Sequence, residues 1–273
     1  MKKSKTFFSK VKQCLVFYFD EAIAGNAAEL SYYFLFTFFT LIMAISAAVI
    51  MLKFNDEAFY ILLVKIFPKQ VYSLIDDFIS YIKGVSNLSF FFLGIFLAIY
   101  SMSRYINSLK RKIRSIYRSQ PMYNPVFEWV ISAAFSALII IGLLFTFVLQ
   151  ITGKSVLTFL ASFIPFISDS FIDFYLGIRF FIIGSYIFIL FCLFYKVLPN
   201  KKLKFKNILP GSVFSSVCWV LISYLFSFYV DNISNYSVVY GSIGAFIVLL
   251  SWIYFLNNTI LIGAVINRVF EQK

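Results

Sequence analysis

The chain has 273 residues, of which 61% are hydrophobic and only 13% are charged. This composition excludes a soluble globular protein, which carries about twice that share of charged residues. The net charge of +12 would favour nucleic-acid binding in a soluble protein, but here the positions of the basic residues explain it without a polyanionic ligand.

The chain begins with a short amphipathic segment. Apolar side chains recur at helical spacing at Phe8, Val11, Leu15 and Tyr18, with lysines between them. This periodicity predicts a helix that lies in the headgroup layer of the inner leaflet, within a cytoplasmic N-terminal segment of residues 1–30. Its simplest role is that of a membrane anchor.

Six longer apolar runs follow, typical of helices that cross a hydrocarbon core about 30 Å thick. Together they predict an all-α, six-span membrane domain over residues 31–267 and a short tail at 268–273. The predicted transmembrane helices are 31–52, 88–102, 129–151, 177–198, 208–230 and 241–267.

The density of basic residues alternates from one side of these spans to the other. Eighteen lie in the N-terminal tail, residues 104–125, residues 196–206 and the C-terminal tail, whereas six lie in the remaining stretches. An anionic cytoplasmic leaflet and the membrane potential both favour positive charge on the inside. The pattern therefore predicts that both termini are cytoplasmic.

Two stretches on the outer side are apolar without having the length of a span. Residues 53–86 contain an amphipathic helical stripe, and residues 155–168 are interrupted by Pro165. We predict that the first forms amphipathic surface helices and that the second is interfacial or re-entrant.

The types of residue present argue against catalysis. The chain has no histidine, which removes the commonest general base and the commonest metal ligand. It has no glycine-rich phosphate loop of the Walker type, and its cytoplasmic acids are scattered, so neither ATP hydrolysis nor a two-metal nuclease site is expected. The sequence thus predicts no catalytic, cofactor or metal site, no enzyme activity and no nucleic-acid partner.

Polar residues at membrane depth are the remaining candidates for function, because a charged side chain costs roughly 2.5–3.5 kcal/mol at the centre of a span. Asn26, Glu29 and Tyr33 follow one another at helical spacing at the start of the first span. A helix face that presents all three would form a substrate site for a headgroup, an ion or a proton. The alternative is structural, since an acid near a helix N-terminus complements the helix dipole.

Arg179 is a further candidate for substrate contact, near the outer end of the fourth span. The alternative is that it pairs with Asp173 or extends to the outer interface. Small residues such as Gly94 and Gly184 indicate close helix packing. Interhelical hydrogen bonds are the expected role of three asparagines in the sixth span, Asn257, Asn258 and Asn267.

The basic connection after the second span is a candidate surface for anionic phospholipids, at about 1 kcal/mol for each cation. Orientation of the protein in the membrane explains the same charge equally well. The six cations are Arg104, Lys110, Arg111, Lys112, Arg114 and Arg118.

Residues 26–39, 195–230 and 240–267 together resemble the YihY/BrkB family of bacterial inner-membrane proteins. The resemblance implies six spans, an inner-membrane location and no established reaction. The residues that carry most of it are Tyr195, Leu198, Pro199, Asn200, Pro210, Gly211, Tyr240, Gly241, Ser242, Trp252 and Tyr254.

Two positions depart from the family pattern. Thr40 stands where the family usually has proline, which implies a less kinked first span. Val265 stands where the family usually has an acid, so a mechanism that needs that acid is not expected in this chain.

These observations favour a transporter or flippase of a lipid or amphiphilic solute in the bacterial inner membrane, with membrane lipids as partners. The alternative is a non-transporting scaffold or envelope-maintenance protein. The family was once labelled ribonuclease BN, but the absence of histidine and of acid clusters argues against RNA cleavage by this chain.

Overall fold

The computed structural model describes residues 2–51, 88–120, 124–151, 169–233 and 236–271. Within these residues the chain is helical apart from short turns and contains no strand, which confirms the all-α fold class.

Seven helices occur in the described part of the chain, and the last six each overlap one predicted span. The stretches predicted to form outer amphipathic or re-entrant segments lie outside the described residues. The helices are α1 (Lys2–Asp20), α2 (Ile23–Met51), α3 (Leu88–Tyr117), α4 (Pro125–Ile151), α5 (Asp169–Val197), α6 (Phe205–Ile233) and α7 (Tyr236–Glu271).

Four of the described helices contain apolar segments long enough to cross a membrane. They are Ile23–Ala44 in α2, Pro125–Gly142 in α4, Phe205–Tyr229 in α6 and Phe246–Glu271 in α7. α5 contains a shorter apolar stretch, Phe181–Val197. α3 joins an apolar first half to a basic second half, which lowers its mean hydropathy.

Three helices extend well beyond the predicted spans. α2 begins at Ile23, inside the predicted N-terminal segment, and α5 begins at Asp169 instead of near residue 177. α3 continues to Tyr117 instead of ending near residue 102. The basic connection expected after the second span is therefore mostly helix. A stripe of buried apolar residues at helical spacing explains the extension and was already visible in the sequence: Met102, Ile106, Leu109, Ile113 and Ile116.

α3 ends in a C-cap in which Arg118 adopts the left-handed conformation, with φ of 51°. The Arg118 N–H donates to the carbonyl oxygen of Ser115 at 2.9 Å, and the Ser119 N–H donates to that of Arg114 at 3.0 Å. This pair of bonds is the Schellman motif, which usually has glycine where this chain has arginine. The motif ends α3 shortly before α4 begins at Pro125.

The helices pack around α7. α2 lies along α3, α6 lies along α7, and α7 also contacts α1 and α2. α5 packs against α6, and α4 packs against α3. The main core lies where these helices meet, and its buried residues include Leu30, Ile106, Leu109, Tyr195 and Leu261.

Large apolar side chains are exposed on the outer faces of the bundle. Phe96 on α3, Trp129 and Ile141 on α4, and Val217 and Tyr224 on α6 are each more than half exposed. In water, an apolar surface of this extent is an aggregation hazard, whereas lipid tails are as apolar as these side chains and cover them. The arrangement is the one expected of a bundle embedded in a membrane.

The predicted small-residue contacts have different outcomes. A Cβ built on Gly94 of α3 would lie 2.9 Å from the backbone nitrogen of Ala44, so α2 and α3 approach closely there as predicted. At Gly184 a Cβ meets no described atom within 4 Å, so the described residues do not show the close contact predicted there. Helical spacing of small residues alone does not show which face a neighbouring helix covers.

Candidate functional site

Glu29 lies in the second turn of α2 and joins that helix to α3. The Ser108 hydroxyl donates to its Oε1 at 2.6 Å. The Lys112 Nζ lies 2.6 Å from its Oε2, and the Arg111 Nη2 lies 3.4 Å from its Oε1. The Glu29 side chain remains 37% exposed, so this charged cluster opens to the surroundings of the bundle.

The other predicted substrate-contact residues do not join this cluster. The Asn26 side chain donates to the carbonyl oxygen of Glu21 at 2.6 Å and so holds the turn between α1 and α2. Tyr33 is half-buried against the core, with its ring edge-to-face with that of Tyr32. Arg179 lies in α5, about 27 Å along the helix from Val197 at 1.5 Å per residue, and its side chain lies outside the described part.

Next to the Glu29 cluster, a set of polar side chains connects α2, α3 and α7. The Tyr105 hydroxyl donates to Oδ1 of Asn257 at 2.9 Å, and Nδ2 of Asn257 donates to Oγ of Ser31 at 3.1 Å. Further along the same interface, the Thr37 hydroxyl lies 3.0 Å from Oγ of Ser101. We name Glu29, Ser31, Thr37, Ser101, Tyr105, Ser108 and Asn257 the polar seam.

The remaining two asparagines of α7 also bind neighbouring helices. Asn258 accepts a hydrogen bond of 3.4 Å from the Tyr18 hydroxyl of α1. The Oδ1 of Asn267 accepts one of 2.6 Å from the backbone N–H of Gly211 in α6. The predicted interhelical role is thus confirmed for all three asparagines.

The six cations predicted to contact anionic lipid divide into two groups. Lys110 is buried, with its Nζ 2.9 Å from Oε2 of Glu128, and Arg114 is buried, with its Nη1 2.7 Å from Oε1 of the same carboxylate. These two cations are therefore used inside the protein and not displayed to headgroups. The other four cations lie at the surface. Lys112 is partly exposed, and the remaining three are exposed, namely Arg104, Arg111 and Arg118.

Burial and the carboxylate act in opposite directions on the Lys110 pKa. Burial among apolar atoms lowers it below the ordinary value of 10.5, whereas Glu128 raises it. Burial is the larger influence, and the resulting pKa is lowered. The Lys110 Nζ also donates to Ser132 and to the carbonyl oxygen of Glu128, which satisfies the ammonium group in this site.

Residues 198–200, at the end of α5, bind the end of α3, which is joined in turn to α4 through Glu128. The Nε of Arg114 donates to the carbonyl oxygen of Leu198 at 3.1 Å, and the Ser119 hydroxyl donates to that of Pro199. The Asn200 side chain donates to the carbonyl oxygen of Gln120 at 3.1 Å. We name this region, together with Lys110 and Glu128, the charged junction.

Tyr195, near the end of α5, connects that helix to α7. Its hydroxyl donates to the carbonyl oxygen of Ile260 at 2.7 Å and lies 2.7 Å from the Ser215 hydroxyl, which in turn donates to the carbonyl oxygen of Thr259 at 2.9 Å. Sequence reasoning singled out Tyr195 only through its resemblance to a family motif. Its long-range partners could not be recognised from local spacing.

In the described part of the chain, no three side chains of histidine, cysteine, aspartate or glutamate come together in a way that could hold a metal ion. The ionic groups described here are instead carboxylates paired with lysine and arginine. Such groups can bind and release charged headgroups or solutes by exchanging partners.

Comparison with known proteins gives matches over most of the chain. The family model of the virulence factor BrkB matches residues 18–273. The ribonuclease-like protein YfkH of Bacillus subtilis is 27% identical over 249 residues, 91% of this chain and 90% of that protein. The UPF0761 membrane protein IL2447 of Idiomarina loihiensis is 26% identical over 224 residues, 80% of this chain and 72% of that protein.

No solved structure matches the chain. The family match extends from the last turn of α1 through the polar seam and the charged junction to the C-terminus. Together with the apolar helices, it shows a membrane protein. The chain belongs to the BrkB virulence factor family.

Proposed function

We propose that this protein crosses the bacterial inner membrane six times, has both termini in the cytoplasm, and moves a lipid or amphiphilic solute between the two sides. The charged junction supports this orientation, since it places the basic ends of α3 and α5 at the same end of the bundle. Positive charge is retained on the cytoplasmic side of membranes.

The polar seam is the observation that carries the transport proposal. Interhelical hydrogen bonds in membrane proteins contribute only about 0.6 kcal/mol each on average, so a seam built from them can exchange partners at small cost. In the described conformation, Ser31, Tyr105 and Asn257 satisfy one another. Separation of α2 from α3 and α7 would release these groups to a polar headgroup.

Glu29 occupies the cytoplasmic end of the proposed path. Its partners Arg111 and Lys112 are surface cations, and an anionic headgroup competes with the carboxylate for them. The pair is partly exposed, so its contribution to stability is small and its exchange is easy. We therefore propose Glu29 for substrate contact, together with Asn26 and Tyr33 in the neighbouring turns of α2 and with Arg179 towards the outer side.

The test is translocation of fluorescent phospholipids by purified protein in liposomes. Glu29→Gln should lose most of the activity, because the uncharged amide no longer positions Lys112. Glu21→Gln is the matched control, since Glu21 also accepts a hydrogen bond of 2.6 Å from an α3 serine, Ser115, but lies outside the polar seam. Equal activity of the two variants, or no activity above that of empty vesicles, contradicts phospholipid flipping by this path.

The alternative function is a non-transporting scaffold. It is favoured by the charged junction, where hydrogen bonds and ion pairs connect the ends of α3, α4 and α5. A scaffold predicts a stable protein partner recovered by cross-linking in intact cells, together with no translocation by the purified and correctly inserted protein.

A further inference from the structure

A large apolar groove lies between α1, α6 and α7. Its volume is about 760 Å³. α1 contributes Val11 and Leu15, α6 contributes Phe214, and α7 contributes Ile262. None of these elements except α7 belongs to the polar seam, so the groove is a separate feature of the molecule.

One cation stands at an end of this groove. Lys10 is the charged residue among the described residues that line the groove. The Lys10 Nζ lies 3.5 Å from the centroid of the Phe270 ring. At the other end, Tyr18 of α1 reaches Asn258 of α7. α1 therefore runs antiparallel to the last turns of α7, and the groove between them has a cationic end and an apolar body.

The groove continues into the surface that lipid covers. Val213 and Val217 on α6 are about half exposed, and they lie beside the lining residue Phe214. An acyl chain can thus enter the groove sideways from the membrane without passing through water. The polarity of the groove matches a molecule with an anionic head and an apolar tail.

We propose that this groove binds one anionic glycerophospholipid, with its phosphate beside Lys10 and an acyl chain along Val11, Leu15 and Ile262. The bound lipid fills the space between α1 and the bundle and so fixes α1 against α6 and α7. This site does not depend on transport through the polar seam, and it is tested by binding alone.

The experiment is native mass spectrometry of the full chain in detergent, with added phosphatidylglycerol or with phosphatidylcholine carrying the same acyl chains. Lys10→Gln should lower the preference for phosphatidylglycerol about fivefold, which is the change in affinity expected when one cation near an anionic headgroup is lost. Lys12→Gln removes a neighbouring exposed lysine that does not line the groove, and it should leave the preference unchanged.

A second pair of variants tests the apolar body of the site. Val11→Trp fills the groove and should weaken binding of phosphatidylglycerol about tenfold. Val16→Trp places the same side chain on the same helix, at an exposed position outside the groove, and should have no effect. Thermal denaturation of each variant establishes that it is folded.

Three results would overturn the proposal. The first is equal binding of the two lipids by the wild-type protein, and the second is an equal effect of the two variants in either pair. The third is a Val11→Trp variant whose oligomeric state changes while its lipid binding stays the same. The last result would assign the groove to a second copy of the chain.

Discussion

Gly211 and Gly263 face each other where α6 packs against α7, and neither position has room for a side chain. A Cβ built on Gly211 would overlap the carbonyl oxygen of Gly263. A Cβ built on Gly263 would overlap the hydroxyl groups of Ser215 and Tyr195. The absence of two Cβ atoms therefore brings the helix backbones together and allows the hydrogen bonds around Tyr195 to form.

Gly263→Ala should destabilise the protein by about 1–3 kcal/mol, because the methyl group displaces two buried hydroxyls. The control is Gly184→Ala, where an added Cβ meets no described atom within 4 Å and alanine favours the helix by roughly 0.5–1 kcal/mol. Thermal denaturation in detergent measures both. A Gly263→Ala variant as stable as the wild type would contradict the close approach of α6 and α7.

Glu128→Gln should destabilise the protein by about 3 kcal/mol, because it leaves Lys110 and Arg114 buried without their counter-charge. The side chains of these cations are only 3% and 10% exposed. Arg111→Gln is the control, since Arg111 is 63% exposed and its pair with Glu29 is worth at most about 1 kcal/mol. A smaller loss for Glu128→Gln than for Arg111→Gln would refute the inward placement of the two cations.

The lowered pKa of Lys110 predicts a dependence of stability on alkaline pH. Between its lowered pKa and the ordinary value of 10.5, the folded protein binds fewer protons than the unfolded chain, so stability contributed by this group rises with pH in that window. Glu128→Gln removes a charge that raises the pKa, so the variant should show a larger rise. Parallel pH profiles of melting temperature for wild type and variant would contradict this assignment.

Tyr195→Phe should cost about 1–3 kcal/mol, since it leaves the buried carbonyl oxygen of Ile260 without its tyrosine donor. Tyr224→Phe makes the same chemical change at a side chain that is 70% exposed on α6, and it should be close to neutral. Chemical or thermal denaturation compares the two. Equal stabilities would show that the Tyr195 hydroxyl does not hold α5 to α7.

Arg118→Gly should stabilise the protein by roughly 1 kcal/mol, because glycine adopts the left-handed conformation at the end of α3 without the cost of a Cβ. Arg104→Gly is the matched control in the interior of the same helix, where glycine should destabilise by up to about 1 kcal/mol. Opposite shifts in melting temperature are expected. Shifts of the same sign would be inconsistent with the C-cap described here.

Much of the fold could be predicted from the sequence, because hydropathy and periodicity are local properties. The apolar runs predicted the positions of α2 to α7, and the spacing of Val11, Leu15 and Tyr18 predicted α1. The continuation of α3 was missed, although Ile106, Leu109 and Ile113 carry the apolar period through the basic segment.

The candidate site was predicted less completely. Asn26, Glu29 and Tyr33 share a helix face by spacing, but the Asn26 side chain bonds to the preceding turn and Glu29 binds α3. The cations of α3 look alike in the sequence, yet Lys110 is buried whereas Arg111 is exposed. Lys110 lies on the face of α3 that packs against α4, whereas Arg111 does not. No local pattern in the sequence reveals where α4 packs.

The sequence by itself determined that this is an all-helical membrane protein, because its apolar runs have the length of transmembrane helices, and a helix satisfies its own backbone hydrogen bonds in lipid. Only the tertiary structure decided which polar groups meet. Asn257 binds Ser31 across 226 positions of the chain, and Lys110 binds Glu128 across 18. Such contacts depend on how the helices pack, and packing is set by the shapes of whole helix faces and not by the spacing of residues along one helix.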